Sequence, residues 1–88
     1  MVISVSGTML RFTGYKKEVE VAGATVLDGL VALGEKFPPM KPILFDGVGK
    51  LKSTHRVFLA GKAIDLNELG REVGAGERVD LITTISGG

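Results

Sequence analysis

The sequence predicts an α+β domain in which one main helix packs on a mixed sheet of four to five strands. Three observations lead there. Short β-branched or alternating runs stand near both ends and in the middle of the chain, at 2–6, 17–21, 56–60 and 78–85. Only the stretch from Thr25 to Phe37 repeats its apolar residues at three- and four-residue spacing. One amphipathic helix can cover only one face of such a sheet, so the other face is left to solvent or a partner.

The elements follow in order. Residues 2–6 form the opening strand, and Thr13-Gly14 gives a turn signal. In 17–21, Val19 and Val21 alternate with Glu18 and Glu20, as in a half-buried strand. The two runs predict an N-terminal hairpin with a loop around 7–14. Thr25 is the expected N-cap of the helix, with Asp28 three residues on completing a capping-box-like pair in the positive first turn. Val26, Leu27, Leu30, Val31, Leu33 and Phe37 make its apolar stripe. Gly29 and Gly34 weaken it by about 1 kcal/mol each relative to alanine, so tertiary packing must hold it. Pro38-Pro39 end it, because proline disfavours helical geometry in the residue before it.

Residues 40–54 read as an ordered loop with one helical turn, anchored by Ile43-Leu44-Phe45. A strand at 56–60 turns through Gly61-Lys62 into the short run Ala63-Ile64, and 65–73 reads as a short helical turn or irregular crossover. Residues 74–77 turn into the last strand, 78–85. There, Val79, Leu81, Thr83 and Ile85 share one face and are expected under the helix, while Ile82 and Thr84 share the other. Ile82 and Thr84 are therefore the candidate surface for docking a partner.

Composition narrows the function. The 88 residues make a single domain, 1–88, with a flexible tail expected at 86–88, and a core of modest stability. The net charge of +1 suggests no general affinity for nucleic acid or an acidic membrane. Absence of cysteine removes disulfides, thiolate metal sites and a cysteine nucleophile. No apolar run reaches transmembrane length and Met1-Val2-Ile3 lacks a basic signal region, so a cytoplasmic protein is expected.

Internal chemistry is sparse. His55 is the only histidine, so no paired-histidine metal motif exists and no metal site is expected. Ser53-Thr54-His55 sets a hydroxyl beside a base, but neighbours in sequence seldom align for proton transfer, and a polar cluster at a strand start is the ordinary reading. Gly47-Val48-Gly49-Lys50 and Gly74-Ala75-Gly76 lack phosphate-loop and dinucleotide spacing and read as turns. Lys50, Lys52, His55 and Arg56 form a local basic cluster, read as a solvated loop. Intrinsic catalytic residues and a bound cofactor are not expected.

The ending Ile85-Ser86-Gly87-Gly88 is the most specific feature. With no Cβ to block the approach, a diglycine can thread a narrow partner site and bring its carboxylate to a phosphate. Attack on the α-phosphate of ATP in a partner would make an acyl-adenylate. A sulfur nucleophile could then displace AMP and leave a thiocarboxylate, or an amine could take the acyl group and give an isopeptide.

The chain resembles the ubiquitin-like sulfur-carrier family, which includes the molybdopterin-synthase small subunit, the thiamine-pathway carrier and the actinobacterial cysteine-synthesis carrier. The resemblance runs through residues 2–6, 24–30, 56–62 and 76–82 to Ser86-Gly87-Gly88; the length and the stretch 38–54 are similar to the molybdopterin and cysteine types. It implies a β-grasp fold, with the first and last strands parallel at the sheet centre. It further implies Gly88 as the adenylation and thiocarboxylate site, with Ser86 and Gly87 threaded into the partner. The implied partners are a ubiquitin-activating-type adenylating enzyme that uses ATP, a sulfur donor such as a sulfurtransferase or persulfide, and a sulfur-accepting synthase. Ser-Gly-Gly endings are also similar to those of archaeal ubiquitin-like modifiers, so joining to target lysines through Gly88 stays open. A non-covalent β-grasp interaction module stays open too. A ferredoxin-type use of the fold is excluded by the missing cysteines.

Overall fold

The computed structural model describes residues 1–74 and 76–83. Five strands, β1 (Val2–Val5), β2 (Glu18–Glu20), β3 (His55–Leu59), β4 (Lys62–Ile64) and β5 (Arg78–Thr83), form one sheet in the order β2-β1-β5-β3-β4. The central pair β1 and β5 is parallel, with Ile3 opposite Val79 and Val5 opposite Leu81; the other pairings are antiparallel. A parallel pair needs a long crossover. The rest of the chain between β2 and β5 supplies it, beginning with helix α1 (Val26–Lys36).

The expected capping box forms: the Asp28 amide donates to Thr25 Oγ1 at 3.1 Å, and the Thr25 amide donates to Asp28 Oδ2 at 3.3 Å. Two further N–H groups at the start of the helix are taken by the crossover, Val26 by the Arg71 carbonyl and Leu27 by that of Leu69. This satisfies donors that a helix N-terminus otherwise leaves unpaired.

The buried stripe of α1 is Val26, Gly29, Leu30, Leu33 and Gly34, spaced three, four, seven and eight residues from its start. Leu27 and Val31 were expected in that stripe but lie beside it, 39% and 43% exposed. Each stands one residue, about 100°, round the helix from a buried position, and the two glycines occupy the core-facing places. A Cβ at Gly29 would overlap the Met1 thioether and stand 3.4 Å from Ile3 Cδ1, so the missing side chain is what lets α1 lie close on β1. The core joins Val26, Leu30 and Leu33 to Ile3, Val5, Val19, Val57, Val79 and Leu81.

The loop expected at 7–14 contains a 3-10 helix, Gly7–Phe12, that buries Met9 at one end of the core. The stretch 40–54 does contain its helical turn, α2 (Lys41–Leu44), after a 3-10 turn at Pro38–Met40, and it buries Met40 and Leu44. Beyond α2 the chain folds back in an isolated bridge between Phe45 and Leu51. Asp46 Oδ1 closes this turn by accepting from the amides of Val48 at 2.9 Å and Lys50 at 3.0 Å. The Lys50 amide first, then that of Val48, holds the Asp46 carboxyl below the usual range. The crossover at 65–73 contains a 3-10 turn at Leu66–Glu68.

Candidate functional site

Alternation along β5 sorts its side chains as the sequence reading expected, as far as Thr83. Val79 and Leu81 are buried under α1, and Thr83 is half-buried on that same face, while Asp80 and Ile82 point to the uncovered face. There Ile82 stands opposite Arg56 and Asp80 opposite Phe58 across β3. Ile82 is 40% exposed. A shallow hollow of about 250 Å³ beside it is lined by Ser4, Ser6, Phe58, Gly61, Asp80 and Ile82 among others.

The β1–β2 side of this face is charged. Arg78 Nε donates to Asp80 Oδ1 at 3.0 Å, and its guanidinium also pairs with Glu18 of β2. These partners, Asp80 first, raise the Arg78 pKa above its ordinary value. All three side chains are partly exposed, so the pairs add little to folding stability. Their effect is to gather paired charges over β2, β1 and the start of β5, apart from Phe58 and Ile82, beside which Arg56 is the exposed cation.

Thr84, Ile85, Ser86, Gly87 and Gly88, expected as docking, strand and tail residues, lie outside the described residues. The last described residue is Thr83, and its surroundings correct the reading of His55 as part of a solvated basic loop. The ring is buried, only 3% exposed. Its Nδ1 is 2.8 Å from Thr83 Oγ1 and its Nε2 is 2.8 Å from the Ile43 carbonyl oxygen. Because side chains alternate along β3, His55 faces the core while Arg56 faces the opposite side. The four basic residues therefore do not form one patch. The ring's engagement with Thr83 and Ile43 also removes Ser53-Thr54-His55 as a nucleophile–base pair.

A larger hollow of about 850 Å³ lies on the helix side, between the α1 residues Val31 and Glu35 and the segment carrying Lys41, Pro42, Phe45 and Lys52. The sequence signalled it only as a mixture of apolar and turn residues. Among the described residues, no group of three or more histidine and carboxylate side chains could hold a metal ion. Among the same residues, no helix is long and apolar enough to cross a membrane.

Solved structures share this arrangement over nearly the whole chain. Small archaeal modifier protein 1 from Haloferax volcanii is 29% identical, the match covering 99% of this chain and 97% of that one with a TM-score of 0.82. The chain has the ubiquitin-like β-grasp fold. A structure of the Amycolatopsis orientalis BexX/CysO complex matches at 25% identity, 99% and 98% coverage and a TM-score of 0.84. Urm1 from Sulfolobus solfataricus, at 19% identity, 94% and 99% coverage and a TM-score of 0.74, shares the fold. No protein-family model and no curated protein matches the chain in sequence. The neighbours are ubiquitin-like sulfur carriers and modifiers rather than catalysts, in agreement with the family resemblance in the sequence.

Proposed function

We propose that this β-grasp protein is a sulfur carrier that works through the carboxylate of Gly88 and serves as a co-substrate of partner enzymes in the cytoplasm. A ubiquitin-activating-type enzyme would dock on the open face around Ile82 and Thr84 and thread Ser86 and Gly87 toward its bound ATP. The Gly88 carboxylate attacks the α-phosphate, a new P–O bond forms, and pyrophosphate leaves. Hydrosulfide then attacks the acyl carbon, AMP leaves, a proton is released, and the thiocarboxylate remains. The sulfur would reach the adenylate as hydrosulfide, or from the persulfide of a sulfurtransferase, in which case a second thiol reduces the resulting acyl disulfide and leaves as a disulfide; a synthase making molybdopterin, cysteine or another sulfur metabolite would accept it. The carrier contributes recognition and placement; ATP belongs to the partner, and the carrier holds no cofactor.

What supports this reading is the joining of two features in one strand. β5 carries Ile82 on an uncovered sheet face, and its sequence continues to Ser86-Gly87-Gly88. The test is intact mass after incubation with the host's adenylating enzyme, ATP and sulfide. The protein should gain the mass of one oxygen-to-sulfur exchange, mapped to the C-terminal peptide, and Gly88→Ala should lose most of that gain while melting as the parent does. No added mass with an adenylating enzyme proven active overturns the carrier reading. The likeness to small archaeal modifier protein 1 favours a second reading, transfer of Gly88 to target lysines. That reading predicts isopeptide-linked adducts recovered from host cells.

A further inference from the structure

The parallel ladder between β1 and β5 ends at Val5 opposite Leu81, whereas the ladder between β3 and β5 continues for two more residues, to His55 opposite Thr83. Beyond Leu81, β3 is thus the only described strand that pairs with β5. The 3-10 helix of Gly7–Phe12 follows β1, and its Met9 Sδ is 3.1 Å from Thr83 Oγ1. At this point a buried imidazole ties three elements together.

The protonation pattern follows from the partners. The Ile43 carbonyl can only accept, so Nε2–H donates to it at 2.8 Å. In the neutral ring Nδ1 is then bare, and the Thr83 hydroxyl donates to it at 2.8 Å. The Met9 thioether is a weaker acceptor for that same proton. The ring therefore bridges the end of β5 to α2, and both of its nitrogens are used in doing so. No step of the proposed chemistry uses this ring.

We propose that His55 and Thr83, with the Ile43 carbonyl, form a latch that sets the direction in which the chain leaves β5 toward Gly88. His55 and Thr83 are then positioning residues for adenylation. The proposal rests on the carrier reading for its consequence and on the geometry for the latch itself. Thr83 is the last residue before the five that lead to the reacting carboxylate. Loss of the bond loosens β5 at the end where, of the described strands, β3 alone still pairs with it. A displacement of about 1 Å at a reacting centre can cost on the order of a hundredfold in rate.

The experiment uses Thr83→Val, which keeps the branched shape and removes the hydroxyl, and Thr83→Ser, which restores it. ATP–pyrophosphate exchange is measured with the host's adenylating enzyme at a temperature where circular dichroism shows every variant folded. Thr83→Val should lower kcat about tenfold or more with KM for the protein within about twofold, and Thr83→Ser should recover it. An unchanged kcat, with or without a lower melting temperature, overturns the proposal, as does an equal loss in both variants. If the parent itself supports no exchange, the carrier reading is what has failed, and the latch is read from amide hydrogen exchange. Thr83→Val should then speed exchange at Ile82 and Thr83 about tenfold, with Thr83→Ser close to the parent. Unaltered exchange there overturns the latch.

Discussion

Changing Ile82 to alanine separates the open sheet face from the rest of the fold. At 40% exposure, Ile82 leaves about 70 Å² to solvent, and covering it at about 25 cal/mol per Å² is worth about 1.8 kcal/mol. Alanine retains part of that surface, so the loss on docking is about 1 kcal/mol, or about fivefold in affinity. The domain already covers the remainder of the side chain, so folding loses about 1 kcal/mol too, well short of a full core truncation. For a domain of this size that lowers the melting temperature by about 4–8 °C. In ATP–pyrophosphate exchange, KM for the protein should rise about fivefold while kcat stays within about twofold, the signature of lost uniform binding. The companion Ile82→Asp variant should raise KM by about 20-fold or more, since it puts a hydrated carboxylate beside Arg56 where the contact needs an apolar side chain. An unchanged KM in both variants, with the expected fall in melting temperature, would refute docking through this face.

Glycine substitutions should follow a graded series in urea unfolding. Gly23→Ala combines a φ of +155° with a Cβ placed 2.8 Å from Asp28 Cβ and 3.1 Å from the Gly29 amide, and should cost about 2–4 kcal/mol, including disturbance of the Thr25–Asp28 cap. Gly61→Ala, with φ +85° and open space, should cost about 1 kcal/mol, and Gly47→Ala, unstrained and open, should be neutral or slightly stabilising; equal losses at all three would refute the order. The Asp46 carboxyl, lowered by its backbone donors, stabilises the 46–50 turn above the unfolded-state pKa of about 3.9, and that contribution is lost as pH falls through the lower folded value. The amide shifts of Val48 and Lys50 should therefore titrate together with a midpoint below about 3.9, and a midpoint at or above that value would refute the assignment.

Local rules reached the parts of this fold that local chemistry controls. Thr25 and Asp28 announce a helix start because both halves of the cap lie within one turn, and alternation places Ile82 opposite Leu81 because strand geometry has a fixed period of two. The width of the helix stripe was less legible. Gly29 and Gly34 look like weaknesses in isolation, yet a Cβ there would crowd Met1 and Ile3 or Lys41 of α2, and Leu27 and Val31 are left at the margin. His55 was legible only as a lone basic residue near others. Its role depends on residues 43 and 83, which are 12 and 28 positions away and meet only after the sheet and α2 are assembled. Nothing in a local window encodes that meeting.

The placement of Ile82 also limits what partner can serve this chain. Six positions separate it from Gly88, and an extended chain spans at most about 3.3–3.6 Å per residue, so on the proposed carrier reading the reacting carboxyl would lie within about 20 Å of Ile82. The paired charges of the open face, Arg78, Asp80 and Glu18, satisfy one another and gain little from a new contact. A partner that grips Phe58 and Ile82 must therefore hold its ATP α-phosphate inside that radius, on the side toward which β5 runs. A longer separation would force the contact off Ile82. A much shorter one would require the Ser86-Gly87-Gly88 tail to fold back, at an entropic cost that glycine makes largest. On the proposed carrier reading, docking and chemistry would be coupled through the number of residues between Ile82 and Gly88, so a variant that shifts the end of β5 should act on kcat and one that trims Ile82 on KM.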